Sequence, residues 1–184
     1  MSSISTSVVI SSYKRAWALR YSLESLVRQI IPPDEVVIVL KPSRDGSEDV
    51  IKEFSKELPI KLIIQKGGFV AEAEEIGIRS SSGKIIVFLD DDAIAEERLL
   101  VKYIELFEKH KDAGGIGGII LKAQLMSGKL KKYDEPYFPS KPQHQINIHQ
   151  YCRPLSIFNG YYGWISKSGF SIFCNISYKK GKPA

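Results

Sequence analysis

The sequence predicts an α/β fold with a doubly wound, mostly parallel sheet and helices on both of its faces. Short β-branched runs alternate with segments whose apolar residues recur at helical spacing, a pattern typical of parallel strands joined by right-handed crossovers. The run at Glu35–Leu40 is almost wholly apolar, as in a strand that is buried on both faces. The chain has 184 residues, of which 43% are hydrophobic and 26% charged, enough for one such domain with a core.

The first 124 residues supply the alternating elements. Pro32 and Pro33 end the first predicted helix, and Pro59 ends the second. Asp45 followed by Glu48 resembles a capping box at the start of that second helix. Strands are predicted at residues 7–11, 35–40, 60–64, 84–89 and 114–121, and helices have their apolar positions within residues 16–30, 50–58, 70–80 and 99–107.

The rest of the chain lacks this alternation. Residues 134–142 contain three prolines and two aromatic residues, and they predict a loop. Residues 143–167 are polar and aromatic without clear periodicity, whereas residues 171–178 predict one further strand.

Composition limits the classes of partner. The net charge of +5 suits an anionic ligand such as a nucleotide, and it equally suits simple solubility. The short lysine clusters at residues 129–132 and 179–182 are too sparse to predict nucleic-acid binding. Residues 1–7 lack the features of a signal peptide, and no apolar run approaches the roughly 18–20 residues that span a bilayer. We therefore expect a cytoplasmic protein, with peripheral association at the inner face of the membrane left open.

The loops that follow the strands of a parallel sheet meet at one edge, and ligands bind in the crevice there. In this sequence those loops are residues 12–15, 41–45, 65–68 and 90–92. We expect all four to converge.

Three aspartates, Asp90, Asp91 and Asp92, directly follow the fourth predicted strand. Their charges repel one another, so the folded state should favour a cation among them. Because residues two apart in an extended segment point the same way, Asp90 and Asp92 would offer oxygens to one hard divalent ion, with Asp91 turned elsewhere. A solvated acidic turn that precedes the next helix would have the same sequence.

Taken together, these motifs resemble the inverting glycosyltransferases of family 2, which have the GT-A fold. Residues 8–15, with the sequence Val-Val-Ile-Ser-Ser-Tyr-Lys-Arg, are similar to the family's opening strand and its Thr-Tyr-Asn-Arg-like turn. Residues 88–92 resemble its Asp-x-Asp signature. The resemblance extends from Ser7 to about residue 121, with a shorter match at residues 173–180 to a late strand on the acceptor side.

The resemblance implies a metal-dependent transferase that moves a sugar, with inversion, from a UDP- or GDP-sugar to a glycan, a lipid-linked sugar or a protein. Residues 1–124 would form the nucleotide-sugar-binding subdomain, and residues 125–184 would form part of the acceptor side of the same domain. Asp90 and Asp92 would hold Mg²⁺ or Mn²⁺ against the donor diphosphate. The residues implied to bind the nucleotide are Ser11, Ser12, Tyr13, Arg15, Lys41 and Asp91.

This chain departs from the family's pattern in two ways. The family usually has an acid directly after its second strand, where Lys41 stands here and Asp45 comes several residues later. Glu74 and Glu75 replace a frequent Arg-Asn pair. The nucleobase therefore stays unassigned, as does the catalytic base, which the family draws from a region beyond these motifs.

Three alternatives stay open. A truncated or degenerate module that binds nucleotide-sugar without transferring it would carry the same motifs. A nucleotidyltransferase shares the architecture but would carry a glycine-rich basic loop after the first strand, and residues 11–15 contain no glycine. A response-regulator-like domain needs acids after the first strand, where Ser11 and Ser12 stand.

Overall fold

A nine-stranded sheet with four helices makes up the part of the chain that the computed structural model describes, which is residues 4–111, 113, 115–126, 129–136, 149–158 and 176–179. The strands are β1 (Thr6–Ser12), β2 (Glu35–Leu40), β3 (Ile60–Ile64), β4 (Ile85–Phe88), β5 (Ala93–Ala95), β6 (Gly115–Met126), β7 (Lys129–Pro136), β8 (His149–Phe158) and β9 (Ile176–Lys179). The helices are α1 (Ala16–Val27), α2 (Ser47–Phe54), α3 (Val70–Ser80) and α4 (Leu99–Lys109).

The sheet has the strand order β3-β2-β1-β4-β9-β6-β8-β5, with β7 paired to β6. Strands β1 to β4 are parallel to one another, and β9 joins β4 in the antiparallel sense. Strand β6 pairs antiparallel with β7, β8 and β9, while β5 runs parallel to β8. Because β1 lies between β2 and β4, the strand order reverses beside β1, and this is the switch point at which α/β sheets bind ligands.

The helices cover both faces of the parallel strands. Alternate residues of a strand point to opposite faces, so Val8 and Ile10 pack in the larger core with residues of α1, α2 and α4. Val9 packs on the other face with Ala73 of α3. The predicted α/β class, with a parallel sheet between two layers of helices, is confirmed, and β6 to β9 add an antiparallel half.

Close approach of α3 to β1 depends on Gly77. A Cβ atom at this position would lie 2.3 Å from Cγ1 of Val9, well inside van der Waals contact. Any larger residue would therefore push α3 away from the sheet.

Three details of the predicted helices are wrong, and the first is the end of α2, which lies at Phe54 rather than at Pro59. Helix α1 ends at Val27, before the two prolines, and Ile30 is 58% exposed rather than part of an apolar stripe. The expected capping box of α2 does not form. The N-cap residue is Gly46, which has a φ of 90° and no side chain that could cap the helix.

The strands that follow β4 in the chain were the least well predicted. The predictions missed β5, β7 and β8, and β7 includes residues 134–136 of the expected proline-rich loop. The predicted strand at residues 171–178 is described from Ile176 onward as β9, and its first residues lie outside the described part of the chain, as do residues 137–148 and 159–175. The division of function at residue 124 stays a prediction. Among the described helices, none has the length and apolar character needed to cross a bilayer.

Candidate functional site

The loops that follow β1, β2, β3 and β4 come together at one edge of the sheet, as expected. The Lys41 amide after β2 donates to the carbonyl oxygen of Ser12 at the end of β1, at 3.0 Å. The Lys41 Nζ lies 3.3 Å from the carbonyl oxygen of Gly68, in the loop after β3. The Arg15 guanidinium, after β1, reaches the aspartates after β4.

The three aspartates form a turn rather than an extended segment. The Ala93 amide donates to the carbonyl oxygen of Asp90 at 3.0 Å, which closes the chain over Asp91 and Asp92. The extended geometry on which the pairing of Asp90 and Asp92 was predicted is therefore wrong. We call residues 90–92 the acidic turn; Asp90 and Asp92 are half-buried in it, whereas Asp91 is 5% exposed.

Asp91 is the most buried residue of the acidic turn. Its Oδ2 accepts a hydrogen bond of 2.7 Å from the Ser12 hydroxyl, and its Oδ1 accepts one of 3.1 Å from Arg15 Nη1. Burial raises the pKa of Asp91 to about 6, and the Ser12 hydrogen bond and the Arg15 charge only partly oppose this rise. Asp91 therefore orients Ser12 and Arg15 from beneath the crevice.

Arg15 bridges two of the three carboxylates. The same Nη1 that contacts Asp91 lies 2.7 Å from Oδ2 of Asp92, whose side chain is 15% exposed. The Arg15 side chain is itself 39% exposed, so it stays accessible to solvent while it is paired with these carboxylates. A negative ligand in the crevice would meet this positive charge directly.

Tyr13 and Lys41 stand on the β2 side of the crevice. The Tyr13 ring is 44% exposed, and the Nζ atoms of Lys14 and Lys41 each lie 5.1 Å from its centroid. Lys14 adopts a positive φ of 57°, which turns the chain sharply out of β1. Ser11 is half-buried and lies in register with Val39 of β2, next to this group.

Asp45 joins the loops after β1 and β2, a role that the sequence analysis missed. Its Oδ2 accepts from the backbone N–H of Ala16 at 2.9 Å, while its Oδ1 accepts from the hydroxyls of Ser43 and Ser47, each at 2.8 Å. Slight burial opposes ionisation, but these hydrogen bonds, led by that from Ala16, lower the pKa of Asp45 to about 2. Asp45 thus fixes the start of α1, directly after Arg15.

The donor set of the acidic turn fits a divalent ion only together with a phosphate ligand. Within the described residues, no three histidine, cysteine, aspartate or glutamate side chains converge as a metal cluster. Asp90 and Asp92 remain as hard oxygen donors, and Arg15 contacts Asp92 through Oδ2. Mg²⁺ is commonly bound by one or two carboxylates with substrate phosphates and water completing its shell. The residues present therefore suit Mg²⁺ or Mn²⁺ beside a diphosphate.

Comparison with known sequences identifies a family. The model of glycosyl transferase family 2 matches residues 7–173. An uncharacterised glycosyltransferase of Nostoc sp. is 29% identical over 131 residues, which cover 70% of this chain and 39% of the relative. A validoxylamine A glucosyltransferase of Streptomyces hygroscopicus subsp. limoneus is 37% identical over 93 residues, which cover 48% of this chain and 20% of the relative. The chain thus spans well under half the length of these relatives.

Comparison with solved structures supports the GT-A-like fold expected from the sequence. TarS of S. aureus superposes with a TM-score of 0.58 at 20% identity, covering 61% of this chain and 34% of TarS. The mannosyltransferase PcManGT from Pyrobaculum calidifontis, in complex with GDP-Man and Mn²⁺, superposes with a TM-score of 0.56 at 23% identity, with coverages of 61% and 34%. The GT-A-like architecture expected from the sequence is therefore confirmed.

Proposed function

The chain belongs to glycosyl transferase family 2, and on that premise we propose that it takes part in metal-dependent transfer of a sugar from a nucleoside diphosphate donor to an acceptor, with inversion at the anomeric carbon. The observation that carries the proposal is the acidic turn itself. Carboxylates stand at the switch point of the sheet, and Arg15 and Lys41 project from the neighbouring loops. A ligand that carries a diphosphate and binds a divalent ion matches both signs of charge.

The proposed donor orientation follows from the positions of these groups. Its diphosphate would lie beside the acidic turn and against Arg15, which keeps its contacts with Asp91 and Asp92, and Mg²⁺ or Mn²⁺ would be held by Asp90 and Asp92. Its base and ribose would lie over Ser11, Ser12 and Tyr13, where Lys41 can donate to a phosphate or to a carbonyl oxygen of the base. Buried Asp91 enters the proposal through Ser12 and Arg15, which it holds in place.

Structures of similar proteins support a nucleotide-sugar ligand. PcManGT was solved with GDP-Man and Mn²⁺, and TarS with UDP-GlcNAc. We extend to this chain only the chemical class, a UDP- or GDP-sugar with a divalent cation.

The chemistry required of the site is stabilisation of a leaving nucleoside diphosphate. A divalent ion, when bound, neutralises the negative charge that builds on that leaving group. Arg15 faces the same charge and can donate hydrogen bonds to phosphate oxygens in the fixed geometry of a guanidinium. Because Asp91 and Asp92 hold Arg15 before the ligand arrives, little side-chain freedom has to be lost when the donor binds.

The acceptor and the location of the reaction are proposed more broadly. The acceptor is a glycan, a lipid-linked sugar or a protein, whose hydroxyl attacks the anomeric carbon from the face opposite the diphosphate. We propose that the reaction takes place in the cytoplasm or at the inner face of the membrane, where a lipid-linked acceptor would be available.

Calorimetric titration of the chain with UDP and GDP, each with and without Mn²⁺, tests the proposal. We expect one of the two nucleotides to bind more tightly with Mn²⁺, and Asp92→Ala to remove that gain. The matched control is Glu57→Gln, an exposed acid between α2 and the start of β3 and therefore at the edge of the sheet opposite the crevice, which should leave both affinities unchanged. Equal nucleotide binding by Asp92→Ala and the unsubstituted chain would contradict the assignment.

Assays of turnover separate the proposed activity from its alternatives. Transfer from a UDP- or GDP-sugar, or hydrolysis of the donor, would support a transferase. Metal-dependent binding with neither reaction would favour the non-catalytic nucleotide-sugar-binding module. Release of pyrophosphate from a nucleoside triphosphate and a sugar phosphate would instead indicate a nucleotidyltransferase.

A further inference from the structure

Three buried polar side chains lie in α1 or just after it, where the buried face is otherwise apolar. Ser22 and Ser25, within the helix, are 0% and 1% exposed, and Gln29, two residues after its end, is 7% exposed. Burying a hydroxyl or an amide without a hydrogen-bond partner is costly, and alanine or leucine would serve packing alone. Their presence therefore requires a further explanation.

All three side chains bond to one distant segment of backbone, residues 93–100. The Ser22 hydroxyl lies 2.7 Å from the carbonyl oxygen of Ala93, 71 residues away. The Ser25 hydroxyl accepts from the Ala95 amide at 2.9 Å. Gln29 donates to the Glu96 carbonyl at 2.7 Å and accepts from the Leu100 amide at 3.2 Å.

Ser22 is the member of this group that reaches the acidic turn. Besides Ala93, the acceptors within reach of its hydroxyl are the carbonyl oxygens of Asp91 at 2.9 Å and Asp90 at 3.3 Å. A hydroxyl has one hydrogen to donate, so the three carbonyls share it and are drawn toward one point. Two of the three carbonyls, those of Asp90 and Asp91, belong to the acidic turn that carries the proposed metal ligands.

We propose that Ser22 is a positioning residue that fixes the acidic turn from below, so that the carboxylates of Asp90 and Asp92 keep the spacing required by a divalent ion. This inference rests on the proposed function. Ser12 and Arg15 restrain side chains of the turn, whereas Ser22 restrains its backbone. Gln29, at the far end of the group, holds the start of α4 and should matter for stability but not for the metal.

The test compares Ser22→Ala with Ser55→Ala in the full chain. Ser55 follows α2, and its hydroxyl bonds to the Ile51 carbonyl at 2.8 Å, so its loss removes a serine hydrogen bond remote from the crevice. In Ser22→Ala we expect the Kd for UDP or GDP with Mn²⁺ to rise roughly 10- to 100-fold, the usual consequence of losing a residue that orients metal ligands. The Kd without Mn²⁺ should stay within about twofold, because Tyr13 and Lys41 are held by other contacts.

If Ser22 had a purely structural role, Ser22→Ala would lower the stability of the chain without changing the ratio of the Kd values measured with and without Mn²⁺. Gln29→Ala serves as the control for that case, since it should destabilise the chain and leave the ratio unchanged. A ratio in Ser22→Ala that stays within about twofold of the unsubstituted value, or an equal change in Gln29→Ala, would overturn the proposal.

Hydrogen exchange at the acidic turn provides a readout that needs no ligand. Amides of residues 91–95 should exchange at least about tenfold faster in Ser22→Ala than in Ser55→Ala, and unchanged exchange would overturn the proposal. If Ser22→Ala does not fold, Ser22→Cys keeps a similar volume with a weaker donor, and the same readouts should shift in the same direction. Failure of the unsubstituted chain to bind UDP or GDP with Mn²⁺ would refute the proposed function, and exchange would then decide alone whether Ser22 positions the turn.

Discussion

Replacing Arg15 with glutamine should destabilise the chain more at pH 8 than at pH 5. The substitution removes the positive charge that lies 3.1 Å from Oδ1 of Asp91 and 2.7 Å from Oδ2 of Asp92. Asp91 is the decisive partner, because its pKa in the folded chain is about 6, raised by burial from an ordinary value of 3.8. Asp91 is therefore mostly charged at pH 8, where Arg15 stabilises it, and mostly neutral at pH 5.

The sign of this dependence follows from proton binding. Because its folded pKa is raised, Asp91 binds more protons in the folded chain than in the unfolded chain between about pH 4 and pH 6. Stability contributed by the protonated group is complete below that window and is lost as the pH rises through it. The difference between 3.8 and about 6 corresponds to roughly 3 kcal/mol of unfolding free energy.

Arg15 limits this loss, so its removal has most effect where Asp91 is charged. A hydrogen bond to a charged group contributes about 1.5–3 kcal/mol, and the 39% exposure of the Arg15 side chain reduces this to roughly 1–2 kcal/mol through solvent screening. We expect that loss at pH 8. At pH 5 folded Asp91 is mostly protonated. We therefore expect Arg15→Gln to cost less than about half of the loss seen at pH 8, and this remainder comes from the contact with Asp92.

Urea unfolding followed by circular dichroism, in EDTA at pH 5 and pH 8, measures both values. The matched control is Arg20→Gln, which breaks an exposed pair with Glu53. The hydrogen bond from Arg20 holds the pKa of Glu53 below its ordinary value, so Glu53 is ionised at both pH values and the control should be insensitive to pH. An Arg15→Gln loss that is equal at the two pH values, or larger at pH 5, would refute the reasoning.

Three further substitutions probe the fold and the crevice. Gly77→Ala should lower the free energy of unfolding by about 1–3 kcal/mol because the new methyl group meets Val9, whereas Gly67→Ala, with no atom within 4 Å of the added Cβ, should be nearly neutral in the same urea titration. Asp45→Asn should flatten the acid-unfolding curve between about pH 4 and pH 2, since a group whose folded pKa is lowered to about 2 contributes stability that is lost as the pH falls through that range. Lys41→Ala should weaken nucleotide binding by up to roughly tenfold, equally with and without Mn²⁺, and calorimetry that found the loss only with Mn²⁺ would move Lys41 to the metal side of the crevice.

Local sequence was sufficient to predict the parallel half of the sheet. The predicted bounds of β2, β3 and α3 agree with the structure, because apolar runs bounded by proline or glycine leave few alternatives. Convergence of the loops at one edge followed from a general rule of parallel sheets, and it explains why Asp91 lies beside Ser12.

The strands that follow β4 in the chain lack such local signals. Strand β5 has three residues, too few for periodicity to be visible. Strand β8 contains Pro154, which has no N–H for the ladder and would ordinarily argue against a strand. The sheet accommodates it through a register shift between Gly117 and Gly118, where Gly118 pairs with Pro154, and such a compensation in another strand cannot be read from the local sequence.

Some residues of the candidate site could likewise be predicted from the local sequence, and others could not. Adjacent carboxylates after a buried strand are visible in the sequence, so Asp90 and Asp92 could be proposed from it. The hydrogen bonds of Ser22 join residues about 70 positions apart, and its sequence neighbourhood is that of an ordinary amphipathic helix. The available signal was a serine on an apolar stripe, which indicates a buried hydrogen bond but not its partner.

Strand order explains why these distant residues meet. Strand β4 pairs with β1 rather than with β3, so the acidic turn after β4 lies beside Ser12 and Arg15, which follow β1. Helix α1 begins directly after Arg15 and packs against β5, which begins directly after the acidic turn, and this brings Ser22 beneath the turn. The first strand and helix thus supply contacts to both the side chains and the backbone of the turn. If β4 paired with β3 instead, the same local sequences would leave three adjacent carboxylates without their guanidinium partner, and repulsion among them would oppose the compact turn.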